Sequence, residues 1–315
     1  MVGRFAPTPS GRMHVGNVFS ALLAWLGVRS AGGRMVLRIE DLDPRAQDRN
    51  KARLLMDDLR WLGLDWDSGP YYQSERTEQY QAALDKLADA GLTYPCFCTR
   101  AELHAATAPH ASDGTYLYAG TCRSLSAEEV ARRSALRPPA TRLRVPDESD
   151  PSGEVRFCDL VYGPQHEILS RECGDFLVRR SDGVVAYQLA VVVDDAEMGV
   201  TQVVRGQDLL GSCARQMYLQ RLLGLPHPEY AHVPLLMAPD GRRLSKRDRD
   251  LDLGEIRAQM DRPEPLLGWI GSLVGLAEPG ESCSADTLCE RFSWETVARR
   301  ARTGNIVVTS KFLPL

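Results

Sequence analysis

The stretch Val2-Gly3-Arg4-Phe5-Ala6 has strand character and runs straight into Pro7-Thr8-Pro9-Ser10-Gly11, and that junction constrains the fold more than any other. Two prolines in three residues cannot continue a strand ladder, since each removes a backbone donor. The chain must turn into a loop. Beyond it Val18, Ala21, Leu22, Trp25 and Leu26 recur at helical spacing, with Asn17 in the N-cap position and Gly32-Gly33 as the stop. Met35-Val36-Leu37-Arg38-Ile39 then reads as a buried strand that ends in the acidic run Glu40-Asp41-Leu42-Asp43-Pro44, and residues 48–62 are again amphipathic. Strand, loop, helix, strand, helix predicts an α/β fold with a parallel sheet and crossover helices.

After a further helix over about Glu75 to Ala90, the pattern breaks into short pieces with turns and cysteines as far as about Arg171. This reads as an insertion between two halves of one sheet. The sheet is expected to resume with Phe176-Leu177-Val178, a turn at Ser181-Asp182-Gly183, the apolar run Ala190-Val191-Val192-Val193, and Thr201-Gln202-Val203-Val204 leading to Arg205-Gly206. A helix over 208–223 follows, then the polar, turn-rich Ala238-Pro239-Asp240-Gly241-Arg242-Arg243. Leu266, Leu267, Trp269, Ile270, Leu273 and Val274 fall at helical spacing and suggest a small helical domain. The expected division is residues 1–90, first half of the catalytic sheet; 91–171, insertion; 172–240, second half; and 241–315, a second loop and the C-terminal helices.

At 315 residues, with 43% hydrophobic and 25% charged residues, the chain has the composition of a globular protein. Its first residues lack the apolar run of a signal peptide, and no stretch approaches the ~20 apolar residues of a membrane span. A cytoplasmic protein without membrane contact is the expectation, and the eight cysteines are then expected to be reduced. A formal charge of −4 argues against indiscriminate nucleic-acid binding. Toward the C-terminus Arg291, Arg299, Arg300, Arg302 and Lys311 stand against Glu295 alone, which fits either a solvated helix face or an RNA-backbone contact.

Two segments suit a nucleotide. The loop from Phe5 to Asn17 leads into a helix N-terminus, where unpaired N–H groups and the helix dipole favour phosphate. His14 and Asn17 add side-chain hydrogen bonds, and Gly16 leaves room for a flat base. The second segment, Arg243-Leu244-Ser245-Lys246-Arg247, places Lys246 where it could neutralise charge building on a departing pyrophosphate. Together, in this order, the two resemble the HIGH and KMSKS signatures of class I aminoacyl-tRNA synthetases. Val15 and Asn17 depart from the first pattern, and Arg243, Leu244 and Arg247 from the second, while Ser245-Lys246 is kept. The resemblance implies a Rossmann-type catalytic domain, with His14, Asn17 and Lys246 as catalytic residues. ATP, with Mg2+, would be held by His14, Gly16, Asn17, Ser245 and Lys246.

Residues 4–11 and 38–43, with Tyr187-Gln188-Leu189-Ala190, Val193-Asp194-Asp195 and Val204-Arg205-Gly206-Gln207-Asp208, resemble the glutamyl branch of that class. A glutamate site must hold one ammonium and two carboxylates, and arginine reads a carboxylate through two parallel bonds. By matching position Arg205 is the candidate for the side-chain carboxylate, with Tyr187 and Arg4, and Glu40 for the ammonium. Phe5, Ala6, Pro7 and Thr8 complete the implied L-glutamate site. An arginine there predicts rejection of glutamine, whose neutral amide would leave a buried cation uncompensated.

Cys96-Phe97-Cys98 and Cys122 supply three thiols, with Tyr118 four residues before the last; Cys158, Cys173, Cys213, Cys283 and Cys289 are scattered. Zinc wants four ligands. The pattern Cys-x-Cys, then Tyr-x-x-x-Cys, resembles one subfamily, the glutamyl-queuosine tRNA(Asp) synthetases, and implies one structural Zn2+ on Cys96, Cys98, Tyr118 and Cys122. Tyr116 stands nearby as another phenol. Only 69 residues follow Lys246, whereas an anticodon-reading domain needs ~100 or more, so none is expected. The subfamily implies glutamate activation without tRNA and transfer to the queuosine base of tRNA(Asp); a monomer is the separate expectation. Two other readings stay open: a truncated glutamyl-tRNA synthetase charging a tRNA 3′ end, and a non-catalytic zinc-bearing RNA-binding paralogue.

Overall fold

In the computed structural model the described residues are 1–105, 117–242, 244 and 251–308. The chain begins by alternating strand and helix: β1 (Val2–Phe5), α1 (Val15–Arg29), β2 (Arg34–Ile39), α2 (Arg49–Trp61), β3 (Ser68–Tyr72) and α3 (Thr77–Asp89). The three strands pair in that order and are all parallel, with Val2 opposite Arg34 and Phe5 opposite Leu37. Helix α1 starts earlier than its apolar spacing suggests. Its N-cap is His14, whose Nδ1 accepts from the Gly16 amide at 3.1 Å while Asn17 Oδ1 accepts from the His14 amide at 3.2 Å. This reciprocal capping satisfies orphan donors from both sides, so Asn17 lies inside the first turn and is not the cap.

The next segment holds β4 (Thr93–Cys96), α4 (Arg100–Ala105), α5 (Ala127–Ser134), β5 (Ala140–Leu143), β6 (Glu154–Asp159), β7 (Gly163–Ile168), α6 (Leu169–Glu172) and β8 (Phe176–Arg179). Strands β4, β5 and β8 form a small antiparallel sheet, so Phe176–Arg179 pairs with β5 instead of resuming the parallel sheet. Strands β6 and β7 make a hairpin.

Parallel strands resume through α7 (Tyr187–Glu197), β9 (Gln202–Gly206), α8 (Cys213–Leu223) and β10 (Glu229–Val233), followed by the short β11 (Leu236–Met237) outside that sheet. Here the apolar run Ala190–Val193, read above as a strand, is the middle of α7. All four residues are buried, and a helix buried on most sides shows the same unbroken apolar run as a buried strand. β10 lies between β9 and β6, parallel to both. The half-sheets meet where β1 runs beside β9: the Thr201 amide donates to Val2 O at 2.8 Å, and Arg4 Nη1 donates to Val204 O at 3.1 Å.

The remaining described residues form α9 (Leu253–Arg257), α10 (Glu264–Leu273), α11 (Ala285–Glu290), α12 (Trp294–Ala301) and β12 (Ile306–Val307), which pairs with β11. Their apolar faces, including Leu266, Ile270, Leu288 and Val297, join one core with α1, β1 and β2. A Cβ on Gly27 of α1 would stand 2.5 Å from the Trp294 ring, so a glycine is what lets α12 approach this closely. The C-terminal arginines are engaged locally: Arg291 with Glu281 at 2.8 Å, Arg299 with Glu295 at 3.5 Å, and Arg300 with Thr303. Lys311 lies outside the described residues.

Candidate functional site

Beyond the C-terminal ends of β1 and β9, where the two half-sheets diverge, lies a cavity of about 500 Å³. Open α/β sheets bind ligands at such a point because the loops leaving adjacent strands part there. Arg4, Phe5, Ala6, Pro7, Thr8, His14, Asn17, Glu40, Tyr187 and Arg205 all line it. The first loop is pinned at both ends: the Glu40 amide donates to Pro7 O at 3.0 Å, and the Leu253 amide to Met13 O at 2.9 Å. Gly11 makes the bend at φ 134°, a conformation L side chains avoid. Gly16 does not line the cavity; the space a Cβ would take beside it is filled by the His14 ring, 2.9 Å away. Ser245 and Lys246 fall outside the described residues.

The cavity floor is charged. Arg38, fully buried, donates from Nη1 to Asp195 Oδ1 at 2.6 Å and from Nη2 to Glu40 Oε1 at 3.2 Å, and its Nε lies 3.6 Å from Asp194. Asp194 in turn takes Arg76 at 2.7 Å, Gln73 at 2.7 Å and the Tyr80 hydroxyl. Arg4 lies 3.6 Å from Asp195. Burial pushes the Glu40 carboxyl up, against the opposing pull of Arg38 and Arg4. Burial likewise raises the Tyr187 phenol, with the Glu40 charge adding to it, so this side chain meets a ligand as a neutral hydroxyl.

Arg205 differs from these. It is 7% exposed, yet among the described residues no carboxylate lies within ion-pair distance of it. Its Nε donates to His232 Nε2 at 3.0 Å, and its Nη2 faces Leu209 O at 3.3 Å and Cys213 Sγ at 3.1 Å. Both side-chain partners are neutral: burial pushes the Cys213 thiol up to about 11, and burial also pushes the His232 imidazole down. A buried cation without an anion is costly, so the group that fills this end of the cavity should bring negative charge.

Sequence reasoning missed several of these groups. Arg12 also lines the cavity and donates to Asp58 Oδ1 at 2.6 Å; the same oxygen takes Arg257 Nη1 at 2.7 Å. The signal available was a polar residue inside an apolar run, as with Arg38 in β2 or His232 in β10. It announces that a partner exists without naming it.

The cysteines converge separately. Cys96, Cys98 and Cys122 bring their sulfurs within 4.8 Å of one another, all as free thiols. Tyr118 Oη lies 3.6 Å from Cys96 Sγ and 3.8 Å from Cys98 Sγ, and Cys98 Sγ lies 3.7 Å from Cys122 Sγ. Four ligands tetrahedrally disposed about zinc, with bonds of ~2.3 Å to sulfur, stand roughly 3.5–3.8 Å apart, so the donor set fits. Arg142 donates to Cys96 Sγ at 3.2 Å and stacks 3.7 Å over the Tyr118 ring, supplying positive charge beside the sulfurs. Burial, the largest influence on the Cys96 thiol, acts upward; the Cys98 amide and Arg142 outweigh it and leave the thiol below its ordinary value. Tyr116 lies outside the described residues.

This arrangement has close counterparts. A "Glutamyl-Q tRNA(Asp) synthetase" from Symbiobacterium thermophilum is 49% identical, covering 95% of this chain and 94% of that protein. A protein of the same name from Nitratidesulfovibrio vulgaris is 48% identical over 87% of this chain and 86% of that one. A "Glutamate--tRNA ligase 2" from Alkalilimnicola ehrlichii is 45% identical, but the match spans only 58% of its length. Among solved structures, a glutamate tRNA ligase from Elizabethkingia meningosepticum in complex with its amino acid superposes with a TM-score of 0.81 at 26% identity, covering 99% of this chain and 68% of that one. Residues 1–307 match the family described as tRNA synthetases class I (E and Q), catalytic domain, and the chain belongs to that family.

Proposed function

We propose that the chain activates L-glutamate with ATP, without tRNA, and transfers the glutamyl group to the queuosine base in the anticodon of tRNA(Asp). The observation that carries the amino-acid half is Arg205, a buried guanidinium with only neutral partners in a cavity whose other rim holds Glu40. Glutamate supplies the missing charges: its side-chain carboxylate meets Arg205 with Tyr187 and Arg4, and its ammonium meets Glu40. The α-carboxylate then attacks the α-phosphorus, forming the acyl–phosphate bond as the bond to pyrophosphate breaks. His14 and Asn17 at the N-terminus of α1 face the nucleotide, and Ser245 and Lys246 would hold its phosphates, with Mg2+ supplying further positive charge. Leu253, hydrogen-bonded to Met13, ties the chain just beyond that second loop to the first one.

Support for the queuosine half comes from the relatives. Those named glutamyl-Q tRNA(Asp) synthetase match along most of their own length, whereas the glutamate–tRNA ligase matches over little more than half. Cys96, Cys98, Tyr118 and Cys122 would hold one zinc ion, a structural one because the set closes the tetrahedron. Among the described residues no helix is long and apolar enough to cross a membrane. A monomer working in the cytoplasm, where ATP and tRNA meet, completes the reading.

ATP–pyrophosphate exchange with each of the twenty amino acids, no tRNA added, tests the first step; exchange that requires tRNA or ignores glutamate would refute it. Mapping labelled glutamate on queuosine-containing tRNA(Asp) tests the second. Label on the 3′-terminal ribose would assign the chain to tRNA charging instead.

A further inference from the structure

His232 sits near the C-terminal end of β10 and is fully buried, with Asp159 at the end of β6 on one side and Arg205 near the end of β9 on the other. Its Nε2 receives the Arg205 Nε–H at 3.0 Å, so that nitrogen must carry a lone pair. The proton is then on Nδ1, which lies 2.7 Å from Asp159 Oδ2. Asp159 is itself held: its Oδ1 accepts the Val161 and Tyr162 amides, each at 2.9 Å. The imidazole is not needed to join the strands, because the His232 backbone amide already donates to Asp159, at 3.1 Å to Oδ2. Beyond Asp159 the polar groups that face the ring among the described residues are Arg205, Cys213 and the Leu209 backbone carbonyl, with Tyr230 stacked alongside at 6.3 Å.

With Nε fixed by His232, and Nη2 engaged by Leu209 and Cys213, the guanidinium keeps Nη1, which has no hydrogen-bond partner among the described residues. We infer that Asp159 and His232 are positioning residues for amino-acid recognition: they lock the Arg205 guanidinium by its Nε and leave Nη1 for the carboxylate of the bound acidic amino acid. This rests on the reading of Arg205 given above and extends it to two groups that do not line the cavity. A free arginine at a strand end samples many rotamers, and freezing it before the ligand arrives removes that entropic cost from binding. Held in place, the guanidinium keeps its donors toward the ligand, and the NH2 of an amide ligand cannot accept from them as a carboxylate oxygen does.

Two substitutions separate the halves of the relay. Asn at 232 reaches only as far as Nδ1, keeping the Asp159 bond and losing the acceptor for Arg205; Gln can place a carbonyl oxygen near the Nε2 position. In glutamate-dependent ATP–pyrophosphate exchange, His232→Asn is expected to raise KM for glutamate about tenfold or more, in keeping with loss of one charge-assisted hydrogen bond. KM for ATP should change less than about twofold, discrimination against glutamine should fall, and His232→Gln should recover most of the loss. A wild-type KM for glutamate in His232→Asn, while Arg205→Leu raises it, overturns the inference and spares the Arg205 reading. An unchanged KM in Arg205→Leu overturns that reading instead. Equal damage to both KM values in His232→Asn, unrescued by Gln, would make His232 a structural residue only and also overturns the inference. Should His232→Asn not fold, the 15N shifts of histidine-labelled wild-type protein decide: a protonated Nε2 on His232 rules the relay out.

Discussion

Arg38 Nη1 donates to Asp195 Oδ1 at 2.6 Å, and this bond joins the end of β2 to α7 beneath the cavity. The guanidinium is fully buried and also holds Glu40, so one cation sets both a strand-to-helix contact and a wall of the site. Replacing it by methionine leaves the buried Asp194 and Asp195, and the partly buried Glu40, without that cation. Arg38→Met is expected to lose about 3–5 kcal/mol of stability, measured by urea denaturation, because removing one partner strands the other charge. Loss below about 1 kcal/mol would mean the pair is hydrated in solution.

Asp58 is fully buried and takes Arg12 from the first loop and Arg257 from α9 on a single oxygen. It therefore fastens the C-terminal helices to the loop that lines the cavity. Both arginines are partly exposed, which moderates the loss. Asp58→Ala should cost about 2–3 kcal/mol and raise KM for ATP more than KM for glutamate in the exchange assay. The opposite order of KM effects would place the strap's influence on the amino-acid end.

Protein purified without chelator should contain one zinc per chain by atomic absorption. Cys122→Ser is expected to abolish retention and lower the thermal midpoint, because a structural zinc contributes folding free energy. Tyr118→Phe keeps three thiolates and should hold the metal more weakly. Full zinc content in the Cys122 variant would exclude this ligand set.

Burial pushes His232 below the ordinary imidazole value of ~6.5, against Asp159, which pulls it up, and with Arg205, which pushes it further down. Below ~6.5 the unfolded chain binds this proton and the folded chain does not, so stability rises with pH through that window. Its contribution is complete above ~6.5 and is lost as pH falls toward the folded value. Urea midpoints between pH 8 and 5 should therefore decline more in the wild type than in His232→Gln. His227, also lowered by burial, is common to both proteins and cancels in the comparison. Parallel profiles would show that His232 takes up its proton over the same pH range in the folded and unfolded chains.

Much of this protein was legible from its residues. Prolines at 7 and 9 and the apolar spacing after them require a strand, a loop and a helix in that order, and the parallel β1 and β2 follow. Cys96, Cys98 and Cys122 announce one cluster by spacing. The helix at 187–197 was not legible: Val191, Val192 and Val193 are all buried, and an apolar run buried on most sides carries no period. Phe176–Arg179 was recognisable as a strand but not as a partner of β5, because pairing depends on which edge lies open in three dimensions.

The residues by themselves determined local backbone choices, since those depend on neighbours a few positions away: where proline forbids a strand, where glycine must bend, where a charged residue sits in an apolar run. Tertiary structure alone decided which charges meet. Asp195 lies 157 positions from Arg38, and His232 lies 73 from Asp159 and 27 from Arg205. The reason is that a low-dielectric interior makes each buried charge or polar group seek a partner while leaving the choice to packing.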